Sequence, residues 1–319
     1  MRGDAMDPRV GRLLEVHPHG LTTAHLHRAG VSDTVIRSQV AAGVLLRLRR
    51  EVLVDRRVWE ASPPWERHRL RALAVAGSLT SLGTEPGQVA LSHRSGLVVQ
   101  DLDVHGSDDE VHGSRVGCGR GHRSGGLWVH APVPPGQVTD QDGIPVVRPA
   151  LASLQEAVVH GAECGLVAAD SALRVGAATP EELRSLVDLS CLRRDRPAAR
   201  LVADLADGSR ESAGESRTAW LLHLLDIEVE CQVEIYGPAG WLVARSDFRI
   251  KGTNVLLEFD GRVKYDDRDV LMAEKVREDR LRELGYEVVR LTWADLATPG
   301  LVRAKIRQAL ARASLRRPA

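Results

Sequence analysis

The sequence predicts a multidomain α+β protein: a small helical unit with a β-ribbon, then an α/β region, then a mixed sheet flanked by helices. Three observations carry this. A chain of 319 residues is too long for one ordinary core. Residues 9–58 are short helical patterns broken by Gly and Pro and closed by an apolar/basic alternation. Beyond residue 207 a helical pattern gives way to strands and turns, and then to helix again. The expected segments are 1–60, 61–206 and 207–319.

Composition narrows the function classes. Hydrophobic residues are 43% and charged residues 27%, as in an ordinary folded chain. Lys+Arg and Asp+Glu both number 43, so nucleic-acid contacts would have to come from local patches. The four cysteines, Cys118, Cys164, Cys191 and Cys231, form no C-x-x-C pair and no disulfide framework, which suits a reducing cytoplasm. The first twenty residues are charged and lack the apolar stretch of a signal peptide. No run approaches the roughly 20 apolar residues of a membrane span, so no membrane partner is expected.

The first segment reads in order. "VGRLLEVHPHG" is a short helix stopped at Pro18 and Gly20. "LTTAHLHRAG" is a second, capped by Thr22 or Thr23 and ended by Gly30. "VSDTVIRSQVAAG" is a third, capped by Ser32 or Asp33, with Val35, Ile36 and Val40 on one face. "VLLRLRREVLVD" alternates apolar and basic residues like an exposed hairpin. Three helices and a basic ribbon describe a winged helix-turn-helix. Its third helix would enter a major groove of double-stranded DNA with Arg37, Ser38 and Gln39 outward. Arg47, Arg49 and Arg50 would lie along the phosphates. A protein–protein module with a solvated basic face has the same pattern.

The middle segment is less specific. "PPWERHRLRALAVAG" is helical, and "VALSHRSGLVVQDL" places His93 and Arg94 in a loop-to-helix turn, where a local structural role is expected. "HGSRVGCGRGHRSGGLWVH" reads as strand, loop and strand, and it does not match a P-loop. "GIPVVRPALASLQEAVV" is a strand, a Pro-marked turn and a helix. Two more helices follow, the second opened by Thr179, Pro180 and Glu182 as N-cap, N1 and N3.

The last segment carries the sharpest signal. "GSRESAGESRTAWLLHLLDI" is a helix with Glu211 and Glu215 near its start. In "RSDFRIKGTNVLLEFDG", a two-residue Gly252-Thr253 loop would pair Ile250 with Val255, Phe248 with Leu257 and Asp247 with Glu258. Asp260 would share their face. Opposed like charges destabilise a hairpin. A hard divalent cation on Asp247, Glu258 and Asp260 would offset the repulsion. So would ion pairs with Arg245, Lys264 and Arg290.

Two resemblances give these patterns a function. "LLEVHPHGLTTAHLHRAGVSDTVIRSQVAAGVLLRLRREVLV" resembles the winged-helix domain of AbiEi-type antitoxins of type IV toxin–antitoxin systems, although Val52 and Leu53 stand where an aromatic is usual. Glu215, Asp247, "EFDGRVK" from Glu258 to Lys264, "EKVREDRLREL" and "GYEVVRLTWADL" resemble very-short-patch-repair-like endonucleases of the PD-(D/E)XK superfamily. That likeness implies a restriction-endonuclease-like fold and phosphodiester hydrolysis with Mg²⁺ or Mn²⁺. Asp247, Glu258, Lys264 and Glu215 would be catalytic, and Asp247, Glu258 and Asp260 would hold the metal. Asp260 stands where the superfamily has Lys, and Lys264 where the subgroup has His. The alternative is a non-catalytic regulator or antitoxin, with a cognate toxin or its promoter as partner.

Overall fold

The computed structural model describes residues 6–79, 81–261 and 268–316. It is an α+β protein of two compact units. The first runs to Leu205 apart from Leu173–Gly176; the second holds that short piece and the residues from Ala206 on.

The first unit begins with α1 (Pro8–Val16), β1 (Leu21–Thr22), α2 (Thr23–Arg28) and α3 (Asp33–Ala41), then β2 (Leu45–Arg49) and β3 (Val52–Asp55). Thr22 caps α2 and Ser32 caps α3, each through its hydroxyl, because a helix start leaves N–H groups without partners. The three strands form a sheet in the order β1-β3-β2. Val10, Leu21, Leu26, Ile36, Leu45 and Leu53 make the core between this sheet and the helices.

The expected exposed ribbon needs a correction at β3. Leu53 faces that core, while Val52 and Val54 join a second one with Ala72, Leu91, Val111 and Val146. Alternation sends neighbouring side chains to opposite faces, and here both faces are covered.

The unit continues with α4 (Arg56–Ala61), α5 (Arg67–Ala76), β4 (Val89–Leu91), α6 (His93–Val99), β5 (Val111–Val116), β6 (His122–Ser124), β7 (Leu127–Val133), β8 (Val138–Gln141) and β9 (Ile144–Val147). Four helices follow: α7 (Pro149–His160), α8 (Ala162–Arg174), α9 (Pro180–Leu186) and α10 (Arg196–Leu205). The strands form a mixed sheet, β6-β7-β5-β4-β9-β8. Thr179 and Glu182 form the anticipated reciprocal cap of α9, with Pro180 in its first turn.

The second unit holds α11 (Ala213–Leu224), β10 (Val229–Tyr236), β11 (Leu242–Ile250), β12 (Val255–Phe259), α12 (Arg268–Glu283), β13 (Glu287–Leu291), α13 (Trp293–Leu296) and α14 (Pro299–Arg316). Strand order is β10-β11-β12-β13. The first three strands form an antiparallel meander, and β13 joins β12 in parallel. A parallel neighbour requires a crossover, which α12 provides. Leu222, Phe248, Val255, Leu257, Leu291 and Ile306 fill the core on one side of the sheet.

The β11–β12 pairing keeps the expected register, with Phe248 opposite Leu257 and Arg249 opposite Leu256. The connection is longer than expected: β11 stops at Ile250 and β12 starts at Val255, with Gly252 at a φ of 71° that favours glycine. Among the described residues, no helix is long and apolar enough to cross a membrane.

Candidate functional site

In the second unit three acids come from three elements. Glu215 is in the first turn of α11, Asp247 on β11 and Glu258 on β12. Close packing puts the helix there. A Cβ on Gly214 would stand 1.9 Å from the Phe259 ring, so only glycine lets α11 press its start onto the end of β12. Phe259 in turn packs edge-on against Trp293, with ring centroids 4.7 Å apart.

Glu215 is buried and rigidly held. Its carboxylate accepts from the Glu211 N–H at 2.9 Å, Ser212 Oγ at 2.8 Å and Gln232 Nε2 at 2.9 Å. Gln232 lies between the register pairs Cys231–Phe248 and Val233–Ser246, level with Asp247 on the next strand. Its φ of 50° is costly for a residue with a side chain. The strained residue therefore ties Glu215 to the strand position beside Asp247.

Asp247 Oδ2 accepts the Phe259 N–H at 2.7 Å. Burial pushes its carboxyl up to about 6; that bond opposes the shift, and the charges of Glu215, Glu258 and Glu211 reinforce it. Glu258 is neutralised differently. Arg277 on α12 grips it with two bonds, Nη1 to Oε1 at 2.9 Å and Nη2 to Oε2 at 2.8 Å. Arg290 Nε stands 4.0 Å from Glu258, and Arg290 Nη2 lies 3.2 Å from Glu278.

Several expectations change here. Arg277, within the "EKVREDRLREL" stretch, is the main partner of Glu258. Arg245, expected among the cations that could offset Asp247, Glu258 and Asp260, pairs instead with Glu211 at 2.5 Å. Asp260 follows the end of β12, and its N–H donates to Leu291 O at 2.8 Å. Asp247, Glu258 and Asp260 do not gather as a three-ligand group; among the described residues such groups occur only among histidines and Asp108 of the first unit. Lys264 lies outside the described residues.

The expected DNA-facing residues divide. Arg37, Arg47 and Arg50 are exposed, with Arg47 also donating to the Arg50 carbonyl. Arg49 is half-buried. Gln39 was expected to face outward; it is buried, and its Oε1 accepts the Asp7 N–H at 3.1 Å, fastening the start of α1.

Sequence reasoning missed a polar cluster in the first unit, on β4–α6, β5, β7 and α7. Arg94 and Glu156 form a fully buried ion pair, Nη2 to Oε1 at 2.6 Å. His112 Nε2 and His160 Nε2 both meet Asp108 Oδ2, at 3.0 and 2.8 Å. His112 Nδ1 is 2.9 Å from His130 Nε2. His93 stacks on His130 at 3.9 Å between centroids. The signal available in the sequence was "SHRS" together with a single histidine inside each of the strand patterns "VHGS" and "LWVHA". Their convergence depends on β5 and β7 being parallel neighbours, which no local pattern encodes.

No family model matches this chain, and no curated protein is similar enough to it to count as a match.

Proposed function

We propose that the second unit is a divalent-metal-dependent endodeoxyribonuclease module and that the N-terminal helices and ribbon bring it to double-stranded DNA. The observation that carries this reading is the meeting of Glu215, Asp247 and Glu258 around one end of a sheet, with Asp247 held near 6 by burial and by like charges. Folding does not favour crowded carboxylates for their own sake, so such crowding marks a site that binds a cation or handles a proton. The α11–β10–β11–β12–α12–β13 order also accords with the nuclease resemblance of "EFDG" and "GYEVVRLTW".

The donors fit a hard cation in type, since all are carboxylate oxygens. Bound Mg²⁺ or Mn²⁺ would supply Lewis-acid charge neutralisation and a more acidic water. The chain's own residues do the rest. Glu215 is locked by Ser212 and Gln232 and so presents a fixed negative charge. Asp247 is ionised at neutral pH and can accept a proton as the pH falls toward 6. Arg277 and Arg290 bring two positive charges beside Glu258, where a phosphate oxygen could replace its carboxylate. By the resemblance, Lys264 would orient the water or stabilise the charge that develops on the phosphorane.

One observation favours a second reading. The bidentate Arg277–Glu258 pair already neutralises Glu258 without a metal. A regulator or antitoxin that keeps the fold as a binding surface would look like this. Purified protein incubated with plasmid and oligonucleotides, with and without Mg²⁺ or Mn²⁺, separates the two. Metal-dependent cutting that is lost in Asp247→Asn and Glu258→Gln supports the nuclease. Absence of both cutting and divalent binding leaves the regulator.

A further inference from the structure

We propose that His93, His112 and His130 of the first unit form a binding site for a zinc-class divalent ion, with its fourth position open to a cavity. This goes beyond the nuclease reading and does not depend on it.

The ligand atoms are nearly in place. One nitrogen from each ring lies within 4.8 Å of the other two. Tetrahedral Zn²⁺ with Zn–N of about 2.0–2.1 Å needs N···N separations of roughly 3.4 Å. His112 Nδ1 and His130 Nε2 are at 2.9 Å, so this pair needs to open by only about half an ångström. Each ring comes from a separate element: His93 opens α6 after β4, His112 is on β5 and His130 on β7. His93 is held at a φ of 50°, a strained setting for a residue with a side chain, and its Nδ1 is 2.8 Å from Ser92 Oγ. That contact leaves Nε2 for the metal.

Chemistry selects the tautomer. Asp108 Oδ2 stands 3.0 Å from His112 Nε2 and 2.8 Å from His160 Nε2, and its Oδ1 accepts the Glu110 N–H at 2.7 Å. Asp108 is therefore an acceptor, and His112 must donate to it through Nε2. The Nδ1 lone pair of His112 then points toward His130. A carboxylate behind a ligating imidazole is the usual support of a metal-binding histidine. Neutral imidazole nitrogens suit Zn²⁺, Co²⁺ or Ni²⁺ better than Mg²⁺.

An independent observation points into the same place. His93, His130 and Gln155 line a cavity of about 320 Å³. Gln155 is buried; its Nε2 donates to Ser114 Oγ at 3.1 Å, while its Oε1 has no donor. An unsatisfied buried acceptor is costly. A water on the fourth position of the ion would supply the missing donor. The neighbouring Asp108–His112–His160 group is the less suitable site. His112 and His160 share one oxygen of Asp108, and His160 Nδ1 faces Glu156 Oε1 at 3.1 Å, so both nitrogens of His160 already meet carboxylates.

The test uses the full chain, stripped with a chelator and titrated with Zn²⁺ by calorimetry and with Co²⁺ by visible absorption. With excess Mg²⁺ present to occupy the carboxylates of the second unit, one ion per chain and the d–d bands of tetrahedral Co²⁺ are expected. His93→Gln and the less buried His130→Asn should each weaken binding about 100-fold, and Asp108→Asn, a positioning change, about 10- to 100-fold. Asp247→Asn in the other unit should leave it unchanged. Circular dichroism confirms that each variant is folded; if His93→Gln does not fold, His130→Asn alone decides. No stoichiometric Zn²⁺ or Co²⁺ binding would overturn the proposal. So would binding that survives His130→Asn, or that is lost only in His160→Gln.

Discussion

Replacing Asp247 with Asn should make the metal-free protein more stable, and more so at higher pH. The native carboxyl titrates at about 6, against 3.8 in the unfolded chain. Between those values the native state holds a proton that the unfolded state has released, so stability falls as pH rises through that window. Above about 6 the whole penalty is present; below 3.8 it vanishes. A shift of roughly 2 units corresponds to ~3 kcal/mol at most. The group is half-buried, and screening reduces this to ~1–2 kcal/mol. Asn keeps an oxygen for the Phe259 N–H, so that bond is not part of the loss. The expected gain is ~3–6 °C in Tm near pH 8 with chelator present, shrinking steadily toward pH 4.5. Thermal melts followed by circular dichroism at several pH values would show it. A lower Tm for the variant at pH 8, or a gain that does not change with pH, would refute the crowding argument.

Further outcomes follow from other contacts. Gly214→Ala forces a methyl into the Phe259 ring and should cost ~1–3 kcal/mol or more, read as a lower Tm together with loss of any divalent binding at the acids. Arg37, Arg47 and Arg50 changed together to Ala should weaken duplex binding and reduce its log–log salt slope by roughly one per lost phosphate contact; an unchanged slope in a titration series removes the DNA role. His68 and His130 are neutral in the native state, pushed by burial to about 4 and about 3, whereas the unfolded rings take up protons below 6.5. Stability should therefore fall as pH drops through 6.5, and His130→Asn should flatten the slope in pH-dependent denaturant melts.

Local signals made much of the fold legible. Thr22, Ser32 and the Thr179–Pro180–Glu182 cap were readable because capping is decided within one helical turn. The β11–β12 register was readable because the apolar residues Phe248, Ile250, Val255 and Leu257 must share a buried face. What depends on distant partners was not. Arg277 lies nineteen positions from Glu258, and only the crossover of α12 brings them together. Gln39 sits on the polar side of a helical pattern, yet an N-terminal turn folds over it. The histidine cluster needs six-stranded topology before its members become neighbours.

The Arg277–Glu258 pair is where the two functional readings part. A buried or half-buried carboxylate must be neutralised by something, and the protein can use a fixed guanidinium or a cation from solution. If Arg277 is a permanent partner, its removal leaves Glu258 with only the more distant Arg290, at 4.0 Å, and Asp247 still crowded, and no ion repairs the loss. If Arg277 instead holds the place of a metal and moves to the substrate phosphate, removing it should increase the site's avidity for divalent ions, because two repelling carboxylates then face each other with only Arg290 nearby. The raised Asp247 argues for the second case. A site fully adapted to ion pairing would have supplied a cation for Asp247 as well, and its principal electrostatic neighbours are instead Glu215, Glu258 and Glu211. Among the described residues the charges that act most on Asp247 are negative, and a bound divalent ion would relieve that crowding.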